Sequence, residues 1–76
     1  MENQINQFHN FLIEIEQEED GRWIAEIHDL PGVLVYGNTK KEVISNVKAL
    51  ALRVIADNIE QGNFDDNVTN IVFIAA

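Results

Sequence analysis

Two histidines and a scatter of carboxylates are the residues of this 76-residue chain whose types and spacing invite a chemical reading. Glu14, Glu16 and Glu26 fall on one phase of an alternating pattern. Paired carboxylates divide acid and base work when separation and burial drive their pKa values apart, and clustered ones can hold the two metal ions of a nuclease. These alternate along strand-like segments beside the acidic stretch Glu18-Glu19-Asp20, which is the pattern of a solvated acidic face. His28 stands between Glu26 and Asp29, but a zinc site needs three or four ligands in set geometry. A solvent-facing or interface imidazole is expected there, and His9, close to the start of the chain, offers less. Thr39, Ser45 and Thr69 lack a serine-histidine-acid arrangement, and the glycines of Asp29–Gly32 and Gly37–Thr39 lack the lysine and serine of a phosphate loop. Trp23 and Tyr36 could stack nucleobases, yet no basic groove accompanies them. The expectation is a binding protein and not an enzyme, with no catalytic residue, no cofactor and no metal.

The elements that must position these residues are legible as hydrophobic periods. Residues 1–7 read as a flexible lead-in, with residues 8–76 forming one domain. From Phe8, the residues Phe11, Ile13 and Ile15 alternate with Leu12, Glu14 and Glu16, the period of two of a half-buried strand. Glu18-Glu19-Asp20-Gly21 makes a hairpin turn, after which Trp23, Ala25 and Ile27 alternate with Ile24, Glu26 and His28. Pro31 cannot donate to a sheet ladder, so the second strand stops by His28 or Asp29, and Pro31-Gly32 suits the middle of a type II turn. Val33-Leu34-Val35-Tyr36 is a third strand closed by Gly37.

Thr39-Lys40-Lys41-Glu42 has the form of a capping box, in which the Glu42 carboxylate returns to the threonine amide. Val43, Val47, Leu50 and Val54, with Ile44, Ala51, Ile55 and Ile59 beside them, form one broad apolar helix face ending at Gln61-Gly62. Ile71-Val72-Phe73-Ile74 is a terminal strand placed to run parallel to the first. The predicted fold is α+β: a three-stranded antiparallel meander, one long helix and a short strand, in the order β-β-β-α-β. One helix covers one face of the sheet. The reverse face carries Leu12, Ile24, Leu34 and Tyr36, apolar residues that call for a homodimer, a tetramer or a permanent partner.

Thirteen acidic residues against five basic ones give a formal charge of −8, and seven of the acids lie between Glu14 and Asp29. Nucleic-acid phosphates are repelled by such a surface, and no cluster of Lys and Arg offsets it. A basic protein partner fits the field, because opposite potentials speed encounter and penalise wrong partners. With no cysteine, disulfides and thiolate metal sites are excluded. No apolar run approaches the roughly 20 residues of a membrane span, and no leader pattern is evident. A cytoplasmic location is expected.

Asp20-Gly21-Arg22-Trp23-Ile24-Ala25-Glu26, then Asp29-Leu30-Pro31-Gly32, then Tyr36-Gly37-Asn38-Thr39 with Glu42 in the first helical turn, resembles the HicB-like antitoxin family. The resemblance covers residues 8 to 62 and implies a partial ribonuclease H-like fold that has lost its catalytic acids. It also implies that the protein neutralises a small basic toxin, one that cleaves messenger RNA through a histidine, by covering that toxin's RNA surface. Asp29, Leu30, Pro31, Gly32, Gly37, Thr39 and Glu42 occupy the family-pattern positions, each with a structural role. Many family members carry a C-terminal DNA-binding segment. Only fourteen residues follow Gly62 here, none of them basic, so no promoter binding by this chain alone is expected.

Three functions follow from these observations. The first is an antitoxin-like inhibitor whose partner-binding residues are Glu14, Glu16, Glu18, Glu19, Asp20, Glu26 and His28. The second is a solitary oligomeric regulatory or interaction module without a toxin. The third, resting on the clustered carboxylates alone, is a metal-dependent nuclease remnant.

Overall fold

A computed structural model of the chain describes residues 8–65 and 67–76. The expected lead-in over residues 1–7 lies outside the described residues. The elements are β1 (Phe8–Gln17), β2 (Trp23–Glu26), β3 (Leu34–Gly37), α1 (Lys40–Glu60) and β4 (Asn70–Ala75). They form the predicted β-β-β-α-β order in a mixed four-stranded sheet of order β3-β2-β1-β4. The first three strands pair antiparallel, with Ile15 opposite Ala25 and Ala25 opposite Val35. β4 returns beside β1 in parallel, with Phe11 opposite Phe73.

Two turns set the meander. In the first, the Glu18 amide donates to the Arg22 carbonyl and the Gly21 amide to Glu18. In the second, the Val33 amide donates to the Leu30 carbonyl across Pro31-Gly32, with Gly32 at φ 84°. That is the type II arrangement, whose third residue must take a positive φ. Ile27 turns out to lie beyond the end of β2, and its amide donates to the Val33 carbonyl. Ile27, Leu30 and Val33 are thereby buried within the loop itself.

The helix starts where the capping threonine places it, since Thr39 is extended and its hydroxyl accepts the Glu42 amide at 3.0 Å. The reciprocal half of the expected capping box is corrected: the Glu42 carboxylate accepts the amide of Asn38, at 2.5 Å. The chain folds tightly over the first turn, because a Cβ at Gly37 would lie 2.9 Å from the Val43 nitrogen. That approach carries the Asn38 amide over the carboxylate. At the other end the Gly62 amide donates to Ile59 and the Asn63 amide to Asn58, with Gly62 at φ 75°. These two bonds close a Schellman motif.

The core lies between sheet and helix. Phe11, Ile13 and Ala25 from the strands and Ile27, Leu30 and Val33 from the loop meet Val43, Val47, Ala51 and Ile55 of the helix. Each fully buried aliphatic or aromatic side chain contributes about 1.5–3 kcal/mol. Trp23, Val35, Ile44, Leu50, Val54 and Phe73 pack around this centre. Ile59, expected on the buried stripe, is instead 54% exposed. Four-residue β2 and β3 extend roughly 13 Å, against roughly 30 Å for the helix, so its last turn overhangs them. Among the described residues no helix is long and apolar enough to cross a membrane.

Candidate functional site

The pairing register decides which side chains share the face turned away from the helix. Glu14 lies opposite Glu26, and Glu26 opposite Leu34, which makes one row across three strands. Glu16, Ile24 and Tyr36 make the next row. Glu14, Glu16 and Glu26 thus gather on one sheet face around a shallow concavity floored by Ile24.

Like charges directly opposite one another on a sheet are destabilising, and His28 compensates the Glu14–Glu26 pair. Its Nε2 lies 2.5 Å from Glu14 Oε1 and its Nδ1 3.7 Å from Glu26 Oε2. The first contact is a hydrogen bond and the second a charge contact. The bond to Glu14, then the charges of Glu14 and Glu26, raise the His28 pKa above its ordinary value. All three side chains remain open to water, so the cluster can rearrange around an incoming cation.

The acidic turn lies beyond one end of these rows. Asp20 accepts the Arg22 amide at 3.0 Å and the Arg22 Nε at 2.8 Å. The backbone bond is the chief cause that holds its carboxyl below the usual range. Arg22 in turn stacks over the Tyr36 ring, 4.6 Å from its centroid, a cation–π contact. Asp20 is therefore committed to its own chain, while Glu18 and Glu19 project from the hairpin tip beside it. Arg22 carries no obvious role in the sequence. Its phase, matching Ile24 and Glu26, is the signal that could have placed it on this face.

The four apolar residues expected on the reverse face are on it, but the carboxylates divide them. Ile24, Leu34 and Tyr36 are neighbours on β2 and β3. Leu12 is on the other side of the carboxylates, paired with Ile74 of β4. Exposed Phe8 and half-buried Val72 share that second end, and the sequence had not marked them as surface residues.

The remaining candidates do not join the cluster. His9 stacks on Phe11 with ring centroids 4.1 Å apart, on the helix side of the sheet, and its Nε2 is 4.0 Å from Asp29. Thr39 is the helix cap, and Thr69 accepts the side-chain amide of Asn70. Six of the family-pattern positions are structural: Leu30 is buried, Pro31 and Gly32 make the turn, Gly37 meets Val43, and Thr39 with Glu42 closes the helix start; Asp29 is instead exposed on the turn, 4.0 Å from His9. Among the described residues no group of three or more His, Asp or Glu is arranged to hold a metal ion.

What the face can do chemically is accept cations. Carboxylates a strand apart suit the planar fork of an arginine or the ammonium of a lysine, and the flanking Leu34 and Tyr36 offer apolar contact for their stems. No protein-family model and no solved structure matches the chain. The chain is similar to a UPF0150 protein of Thermoplasma acidophilum, 32% identical over 53 residues that span 70% of this chain and 75% of that protein.

Proposed function

The chain belongs to the UPF0150 family, and from that premise we propose that it is an antitoxin-like inhibitor that binds a small basic, RNA-cleaving toxin and occludes its RNA surface. The observation that carries this reading is the pairing of Glu14 with Glu26, with Glu16 beside them, on an open sheet face. A protein that binds RNA presents Lys and Arg to phosphates. A sheet face that spaces carboxylates a strand apart competes for the same cations. The formal charge of −8 speeds encounter with such a partner and repels RNA from the inhibitor itself.

Neutralisation by occlusion makes and breaks no bond, so this function asks no catalytic group of the chain. The resemblance to HicB-like antitoxins supports the same conclusion from the motif residues. The face supplies three elements of recognition. Glu14, Glu16 and Glu26 meet cations, Leu34 and Tyr36 meet apolar stems, and Glu18 and Glu19 extend the negative field toward the hairpin tip.

The test is a binding measurement between the purified chain and a small basic protein encoded beside it, followed by an RNA-cleavage assay of that protein. Stoichiometric inhibition that weakens with salt, and is lost when Glu14→Lys and Glu26→Lys are combined, is the expected result. Absence of binding at low salt, or cleavage that continues within the complex, rejects the proposal.

A further inference from the structure

Arg22 is the only Lys or Arg before Lys40, so the outer sheet face carries a single permanent cation among its acids. Glu18 and Glu19 lie in the same turn, but the guanidinium goes to Asp20 and Tyr36. Its Nε donates to Asp20 Oδ2 at 2.8 Å, and its central carbon lies 4.6 Å from the centroid of the Tyr36 ring. Those two contacts together suit a planar cation. A guanidinium bonds a carboxylate in its own plane while laying its face on an aromatic ring, whereas an ammonium is a compact, strongly hydrated point charge.

The carboxylate and the ring do not depend on the Arg22 side chain for their positions. Asp20 Oδ1 accepts the Arg22 backbone amide at 3.0 Å, and the Arg22 carbonyl accepts the Glu18 amide, bonds that survive a change of side chain at position 22. Tyr36 is set by its pairing with Ile24. Ile24 also pairs with Glu16, so ring and glutamate stand two strand spacings apart, roughly 10 Å, in one row of the face. An aromatic and carboxylate position thus borders the acidic concavity, and the chain's own arginine fills it.

We propose that Tyr36 and Asp20 form an arginine-selective subsite of the outer sheet face, which Arg22 fills in the free chain and yields to an arginine of the basic partner. The subsite rests on the reading that this face binds a basic protein. Exchanging one guanidinium for another remakes the same bond and the same stack, so the exchange costs little at the site. A lysine arriving there cannot remake the stack, and Arg22 stays in place. Arg22 therefore acts against partners that present lysine alone, the repulsive element that specificity requires beside attraction.

Two basic peptides of equal length and charge, one carrying arginines and the other lysines, test the subsite. Their binding is measured to the wild type, Arg22→Gln, Tyr36→Leu and the double variant, with Lys41→Gln as a control that removes the same charge from the helix. The wild type is expected to prefer the arginine peptide, and Tyr36→Leu to lose that preference. Arg22→Gln should bind the arginine peptide ~10-fold more tightly than Lys41→Gln does. That gain should be absent with the lysine peptide and absent in the Tyr36→Leu background. Nuclear magnetic resonance of the wild type needs no variant: the Arg22 Nε–H should exchange faster with solvent as the arginine peptide is added, and not as the lysine peptide is. A gain equal for both peptides, a gain that survives Tyr36→Leu, or an Arg22 Nε–H unchanged at saturation with the arginine peptide overturns the subsite. Binding of both peptides that depends on Glu14 and Glu26 and not on Tyr36 overturns the subsite alone. If neither peptide binds any variant, the face does not accept cations, and the proposed function falls together with the subsite.

Discussion

His28 Nε2 and Glu14 Oε1 stand 2.5 Å apart, although fourteen residues separate them in the chain. The contact exists because β1 and β2 are antiparallel neighbours and the turn after Glu26 brings the imidazole back across Glu14. Its consequence is a pH dependence of defined sign. The folded-state pKa of His28 is raised above the ordinary 6.5 by the Glu14 hydrogen bond and then by the Glu14 and Glu26 charges. The stabilisation is present in full below the unfolded value and is lost as pH rises through the folded one. Urea midpoints measured from pH 6 upward should fall for the wild type and stay flatter for His28→Gln. Equal slopes for the two proteins would rule the linkage out.

The same proton governs recognition under the proposed function. Protonated His28 is an internal counter-ion for Glu14 and Glu26, and a basic partner must compete with it. Affinity for that partner should rise as pH climbs through the His28 transition, and His28→Gln should bind more tightly than wild type at pH 6 with little difference at pH 9. Titration calorimetry at both values checks this. A wild type that binds better at the lower pH contradicts it.

Gly37 is fixed by space. A Cβ there would meet the Val43 nitrogen at 2.9 Å and the Val43 Cβ at 3.0 Å, contacts that only backbone movement relieves. Gly37→Ala should therefore destabilise the fold by about 1–3 kcal/mol, read from the urea midpoint at constant slope. A stabilised Gly37→Ala variant would show that the corner can open freely.

The helix start gives a second stability test. Thr39 Oγ1 accepts the Glu42 amide, and Thr39→Ala should cost roughly 1 kcal/mol. Thr39→Ser retains the acceptor and should recover most of it. Because the Glu42 carboxylate accepts the Asn38 amide, Glu42→Ala should speed hydrogen exchange at Asn38, leaving the exchange of Thr39 unchanged.

The core predicts larger effects. Phe11 is 1% exposed, and its ring centroid lies 6.0 Å from that of Phe73, so Phe11→Ala removes this ring contact and empties the core beneath the helix. A loss of about 3–5 kcal/mol is expected. That is comparable to the whole stability of a domain this small, so the variant should be largely unfolded by circular dichroism at 25 °C.

Local sequence determined what depends on local periodicity. The alternation from Phe11 to Ile15 and from Trp23 to Ile27 set the sheet faces, and it placed Glu14, Glu16 and Glu26 together before any pairing was known. Thr39 and Gly62 bounded the helix, because caps act within one turn of the chain. The parallel return of β4 followed from the helix that carries the chain back. Tertiary structure decided what depends on register and reach. Leu12 parted from Tyr36 because the parallel register seats it against Ile74. Ile59 emerged into water because β2 and β3 are shorter than the helix above them. Glu42 turned to Asn38 because Gly37 closes the corner onto Val43. His28 found Glu14 across a strand boundary. Periodicity states which side a residue faces, whereas its neighbours on that side are fixed by how separate strands align, and that alignment is set by the packing of the whole core.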